Sequence, residues 1–165
     1  MSSISSVSDQ LHLLDNNEDL RLHASQLISA GQRDMRLFSR KLNPAFFNRT
    51  TFVDTLSLVV RQSRLFCAKI IICEPKIIVE DNHKLLKLSH RLTSKIHIRR
   101  LTIEPEQEAE FMIVDRDKLW LQHKEYEHTG FADYDTPARA KQMTTLFEEY
   151  WKQSVADPAL QQMVL

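Results

Sequence analysis

Apolar positions along the chain recur with two different periods, and the switches between them mark the elements. In 17-NEDLRLHASQLISA-30, Leu20, Ala24, Leu27 and Ile28 fall on one helical face. Asn17 is able to cap this helix, acids occupy its first turn and Gly31 supplies a stop. The next segment, 34-DMRLFSR-40, alternates and predicts a strand. Asn43-Pro44 breaks it and starts a turn or a short helix. From Thr51 to about Arg64 a second helix puts Phe52, Leu56, Val59 and Val60 on one face. The run 67-CAKIIICEP-75 is continuously apolar until Pro75, the pattern of a strand buried inside an α/β sheet.

Residues 82–93 read as a basic helix with Leu85, Leu86, Leu88 and Leu92 on its apolar side. Strand 95-KIHIRRL-101 alternates, with Ile96, Ile98 and Arg100 on one face and His97 and Arg99 on the other. An acidic turn, 104-EPEQ-107, leads into strand 108-EAEFMIVD-115. Asp115-Arg116-Asp117 reads as a hairpin turn into 118-KLWLQH-123, pairing antiparallel. After a polar loop around Gly130, Asp135 or Thr136 caps a helix with Pro137 in its first turn. Met143, Leu146, Phe147, Tyr150 and Trp151 follow at helical spacing. Residues 1–16 are expected to be a flexible N-terminus and 17–155 one domain. Residues 156–165 are a tail, irregular or a short terminal helix. Alternating helices and strands followed by a hairpin predict an α/β domain with a mixed sheet and helices on both faces.

Length and charge narrow the function classes. A chain of 165 residues with 42% hydrophobic and 27% charged positions suits one packed domain. Lys+Arg and Asp+Glu are both 22, so the chain lacks the overall basic charge usual in a dedicated nucleic-acid binder, although a local basic patch is compatible with this. Only two glycines are present, which excludes a Gly-rich phosphate loop, and no metal-ligand spacing or cofactor motif appears. Cys67 and Cys73 are six apart on one strand, too far for a disulfide, and read as two buried thiols of a reducing compartment. MSSISSVSDQ is neither basic nor apolar, so no secretory leader is expected there, and no apolar run approaches the ~18 residues of a spanning helix. A cytoplasmic location is the expectation.

This layout resembles one half of the phospholipase D superfamily fold: strand, helix, strand with a charged turn, a region shaped like H-x-K-x4-D, a hairpin, a Gly-containing loop and a closing helix. The stretch 137-PARAKQMTTLFEEYWKQS-154 is similar to that family's final helix. More narrowly, 36-RLFSRKLNP-44 with 137-PAR…LFEEYWKQS-154 resembles an uncharacterised bacterial domain family sometimes fused to acetyltransferases. Carried over position by position, Glu108 stands where the motif has its nucleophilic His, Glu110 at the Lys, and Asp115 at the Asp. The resemblance implies an imidazole that attacks phosphorus and an ammonium that holds phosphate oxygens. Glu is a poor nucleophile there and, at the second position, inverts the charge. A carboxylate repels a phosphodiester by ~1 kcal/mol at 4 Å in water, and by more at lower dielectric. Phosphodiesterase activity is not expected. The resemblance also implies a homodimer with the motif strands near the two-fold.

The residues leave alternatives open. Glu108, Glu110 and Asp115 could together hold Mg²⁺ or Ca²⁺, or one could act as an acid or base. They could equally be solvated, or paired with Arg99 or Arg100, with Asp115 a turn residue. Arg36, Arg40, Arg99 and Arg100, with the helix face of Lys84, Lys87 and Arg91, could contact an anion or nucleic acid, or could be solvated or paired with acids. His83 and His90 read as surface histidines; Trp120, Tyr150 and Trp151 read as core or dimer-interface residues. The leading expectation is a non-catalytic binding or regulatory domain contacting protein or nucleic acid. An enzyme of altered chemistry using the acidic residues, with or without a divalent metal, and an accessory partner of an acetyltransferase are the alternatives.

Overall fold

The structure, a computed structural model, describes residues 10–106, 109–124, 126 and 128–161. Eight strands form one mixed sheet in the order β1-β7-β6-β5-β2-β3-β4-β8. In chain order these are β1 (Leu11–Leu14), β2 (Asp34–Phe38), β3 (Cys67–Ile72), β4 (Ile96–Leu101), β5 (Glu110–Val114), β6 (Lys118–Gln122), β7 (Gly130–Asp133) and β8 (Ser154–Val155). The helices are α1 (Asn17–Ser29), α2 (Pro44–Phe47), α3 (Thr50–Gln62), α4 (Pro75–Glu80), α5 (Lys84–Arg91), α6 (Pro137–Lys152) and α7 (Pro158–Gln161). Strands β2, β3 and β4 are parallel, and every other pairing is antiparallel.

The alternation in each strand sorts its residues between two cores. Met35, Leu37, Ala68, Ile70, Ile72, Ile96 and Ile98 pack with the apolar stripes of α1, α3 and α5. Phe38, Ile71, Leu101, Phe111 and Ile113 face the other way and pack with Ala140, Phe147 and Tyr150 of α6. One side of the sheet is thus covered by several helices and the other chiefly by α6. No helix among the described residues is long and apolar enough to cross a membrane.

Several sequence expectations are corrected by pairing that the sequence does not display. Leu11–Leu14, placed in a flexible N-terminus, is an edge strand whose backbone bonds to β7, from Leu11 opposite Asp133 to Leu14 opposite Gly130. The loop around Gly130 is itself a strand, β7. A Cβ on Gly130 would lie 1.9 Å from the Leu121 carbonyl oxygen, so only glycine fits against β6 there. Pro75 does not merely end β3; it opens α4, with its fixed φ at the first helical positions. Ser154–Val155, read as the end of the last helix's segment, form β8, which pairs with Arg100 and Leu101; the tail after it carries the short helix α7, as one of the two expectations had it. Cys67 and Cys73 are half-buried free thiols rather than fully buried ones. His83 is fully buried, not a surface histidine.

Candidate functional site

Three parallel strands end at one edge of the sheet, and β5, antiparallel to β2, begins at the same edge. The register sets Phe38 opposite Phe111, so Glu110 lies beside the residues that follow β2. Its carboxylate accepts from the Ser39 hydroxyl at 2.6 Å and from the Arg40 amide at 3.1 Å. Glu110 therefore ties the end of β2 to the start of β5. Ser39 is fully buried, and charge-assisted bonds of this kind are the stronger class.

Clefts at the carboxyl ends of strands are the usual ligand position in open α/β sheets. Here a cavity of about 500 Å³ opens, lined by Arg40, Lys41, Asn43, Glu110, His123 and Lys124, among others. Lys41, His123 and Lys124 are exposed. Arg40 reaches Glu104 at 3.3 Å through one terminal nitrogen, and Glu104 is 87% exposed, so this pair is worth little. The Arg40 Nε is buried and has no acceptor among the described residues. The Arg40 carbonyl in turn accepts from the Cys73 and Glu74 amides at 2.9 and 3.0 Å, fixing the loop to the end of β3. Burial pushes the Cys73 thiol up to about 11, the nearby Arg40 cation only partly offsetting it, so this sulfur stays neutral at ordinary pH.

Asp115 is not part of this site. It lies at the other end of β5, beyond five strand residues, roughly 15 Å or more from Glu110. There it adopts a left-handed φ of 59°. Its Oδ1 accepts from the Arg33 amide at 2.7 Å, the Gln32 amide at 3.1 Å and the Asp34 amide at 3.3 Å. Asp115 clamps the entry to β2 onto the hairpin turn. Three carboxylates at positions 108, 110 and 115 therefore cannot share one ion, which corrects the acidic-cluster reading. Glu108 lies outside the described residues. Among the described residues no group of three or more His, Cys, Asp or Glu could hold a metal ion.

The four arginines go to different places. Arg36 is paired with Asp34 at 3.2 Å and with Glu148 of α6 at 2.8 Å. Arg99 donates to the Ser154 hydroxyl at 2.8 Å and also to the Ser154 carbonyl. Arg100 pairs with Asp157 at 2.6 Å, tying the tail to β4. The Ala159 amide and then Arg100 hold the Asp157 carboxyl below its ordinary value. Only Arg40 lines the cavity. On α5, Lys84, Lys87 and Arg91 are exposed on the face that the spacing indicated. His90 bonds the Leu160 carbonyl oxygen at 2.7 Å, and Trp120 is fully buried with its Nε1 donating to the Leu20 carbonyl at 3.0 Å. Lys41, Asn43, His123 and Lys124 were not singled out as site residues by their spacing. The one sequence signal was their position, in the segments that follow β2 and β6.

Residues 16–163 match the family described as a domain of unknown function (DUF7931). No curated protein matches the chain. Among solved structures, it is similar to the archaeal chromatin protein TrmBL2, whose structure shows a novel mode of DNA binding. That match has 13% identity and a TM-score of 0.65, covering 88% of this chain and 53% of TrmBL2, so the chain spans about half the length of that relative. It is also similar to Nuc from Salmonella typhimurium, a phospholipase D family member, at 14% identity and a TM-score of 0.61, covering 82% of this chain and 88% of Nuc. NucT from Helicobacter pylori matches at 11% identity and a TM-score of 0.58, covering 89% and 97% of the two chains. The fold is phospholipase D-like, an open mixed sheet flanked by helices.

Proposed function

Because the chain belongs to the DUF7931 family and carries a phospholipase D-like fold, we propose that it is a non-catalytic binding domain of the bacterial cytoplasm that contacts nucleic acid at the carboxyl end of its sheet. The observation that carries this reading is the division of labour between Glu110 and Arg40. The carboxylate at the motif's lysine position is bonded to Ser39 and the Arg40 amide. It neither attacks phosphorus nor binds phosphate oxygens. The cations at the cavity come instead from Arg40, Lys41 and Lys124, on loops that follow β2 and β6. A phosphate held there would accept from the buried Arg40 Nε, which has no other acceptor among the described residues. The DNA binding of the similarly folded TrmBL2 supports the same class of partner. In this reading a second copy joins around the start of β5, doubling the cations on one surface.

The test is fluorescence anisotropy of labelled single-stranded and duplex oligonucleotides across a salt series, beside a phosphodiester hydrolysis assay. Binding should weaken with salt, and Lys41→Ala with Lys124→Ala should reduce the logarithmic salt slope by about 2. The diester should survive. Hydrolysis by the wild-type chain would overturn the non-catalytic assignment. Absence of binding at low salt would move the contact to a protein, with an acetyltransferase among the partners the resemblance implies.

A further inference from the structure

On the α6 side of the sheet, Arg36, Lys69 and His97 stand in register across β2, β3 and β4, with Arg99 two residues along β4. These four positions are half-buried, yet they are compensated very unequally. Arg36 has two carboxylates, Asp34 and Glu148. Lys69 and Arg99 have none among the described residues, in a chain with as many acids as bases. Arg99 is bonded only to the neutral hydroxyl and carbonyl of Ser154. Lys69 makes no hydrogen bond among the described residues; its Nζ lies 5.1 Å from the centre of the Trp151 ring, and the Arg99 guanidinium lies 5.2 Å from the same centre. Two cations held against one indole repel each other, and the ring's quadrupole offsets only part of that cost. Half-buried positive charge without a partner is what an anion site looks like before the anion arrives.

Space for such an anion exists beside Arg99, His97 and Trp151, with Lys69 on the same indole but outside the cavity lining. A cavity of about 370 Å³ is lined by His97, Arg99, Trp151 and His90, among others. It lies along β4 where that strand has no outer neighbour: β8 pairs only with Arg100 and Leu101, leaving the backbone of residues 96–99 open on this edge. The volume is that of a small-molecule site. It lies at the edge of the sheet beside β8 and α7, whereas Arg40 and Glu110 line the other cavity, at the carboxyl ends of the strands.

We propose that His97, Arg99 and Trp151 form a binding site for a small phosphorylated anion, separate from the carboxyl-end cavity and independent of the nucleic-acid reading. Arg99 supplies the charge in the cavity, and Lys69, held against the Trp151 ring outside its lining, adds to the positive field there. The full chain should bind inorganic pyrophosphate, with a change in the emission of the half-buried Trp151 and a rise in melting temperature. Arg99→Met should weaken pyrophosphate binding by about tenfold or more, the effect of losing one charge-assisted contact, and Lys69→Met by severalfold, the effect of losing a nearby charge. Lys69→Met should also raise the melting temperature of the ligand-free chain, because it removes the repulsion with Arg99 and breaks no hydrogen bond. A merely structural lysine would show the rise in melting temperature without any loss of pyrophosphate binding. Lys41→Ala with Lys124→Ala should leave pyrophosphate binding intact, which separates this site from the other cavity. Failure of pyrophosphate to bind, or equal binding by Arg99→Met or Lys69→Met, overturns the proposal. So does loss of binding only in the Lys41/Lys124 variant.

Discussion

His83 donates from Nε2 to the Leu42 carbonyl oxygen at 2.9 Å while its Nδ1 accepts from the Leu85 amide at 3.2 Å. The imidazole therefore caps α5 and at the same time holds the loop that follows β2. That loop needs holding: Leu42 has φ 51°, a left-handed conformation that costs a branched residue roughly 1–2 kcal/mol. Arg40, Lys41 and Asn43, on either side of it, line the carboxyl-end cavity. A buried histidine 41 positions away in sequence thus sets the geometry of the candidate binding loop.

Both His83 nitrogens are engaged in a way that only the neutral Nε2–H form satisfies. Burial lowers its pKa from 6.5, the Leu42 carbonyl only partly opposing this. Since the folded value lies below the unfolded one, the contribution is complete above pH 6.5 and is lost as pH falls from there through the folded value. Urea unfolding at a series of pH values from neutral downward should show this decline. His23, lowered by burial and by His12, contributes in the same window. His83→Asn should remove about one proton's worth of the slope and cost about 1–3 kcal/mol at neutral pH. An unchanged slope in this variant would show that the imidazole does not titrate on unfolding.

Asp115 is expected to matter for stability and not for binding. Asp115→Ala removes the acceptor from three amides at the entry to β2 and leaves them partly buried, at a cost of about 2–3 kcal/mol by chemical denaturation. Asp115→Asn should cost less, because the amide oxygen still accepts and Asn tolerates the φ of 59°. Oligonucleotide affinity should be unchanged in the Asn variant. A selective loss of binding would return Asp115 to the site.

Gly130→Ala forces a Cβ into the Leu121 carbonyl, 1.9 Å away. The strand cannot retreat without breaking its pairs with β6 and β1. A loss of about 3 kcal/mol or more is expected, seen as a large fall in melting temperature or in soluble yield.

Glu110→Gln keeps one acceptor oxygen, for the Arg40 amide, and turns an NH2 toward the Ser39 hydroxyl, which can then accept, while removing the negative charge beside the cavity. Oligonucleotide affinity should rise severalfold at low salt, with the gain shrinking as salt screens it. Folding stability should fall by about 1 kcal/mol, because the bonds to Ser39 and Arg40 lose their charge assistance. Lower affinity would mean that the carboxylate itself contacts the ligand.

Much of this was legible in the one-dimensional pattern. The alternation of 96-IHIR-99 assigned Ile96 and Ile98 to one core and Arg99 to the opposite face, as the packing has it. The helix from Pro137 and the hairpin at residues 115–117 were likewise local. These features are set by which side chain points to which side of its own element, a property that neighbours in sequence fix. The edge strand β1 and its neighbour β7 were not legible, because four residues carry too few periods to be seen and their order comes from pairing with each other and with β6.

What the sequence determined by itself is the order of the main elements and their buried faces. Only the tertiary structure decided what each polar residue does. Crossings and register placed Asp115 at the far end of β5 from Glu110, gave Arg36 and Arg100 carboxylates of their own, left Lys69 and Arg99 without any, and buried His83 against Leu42. A polar side chain's role depends on its partner, and here the decisive partners come from other elements, up to 112 positions away in the case of Arg36 and Glu148. Local periodicity carries no information over that distance.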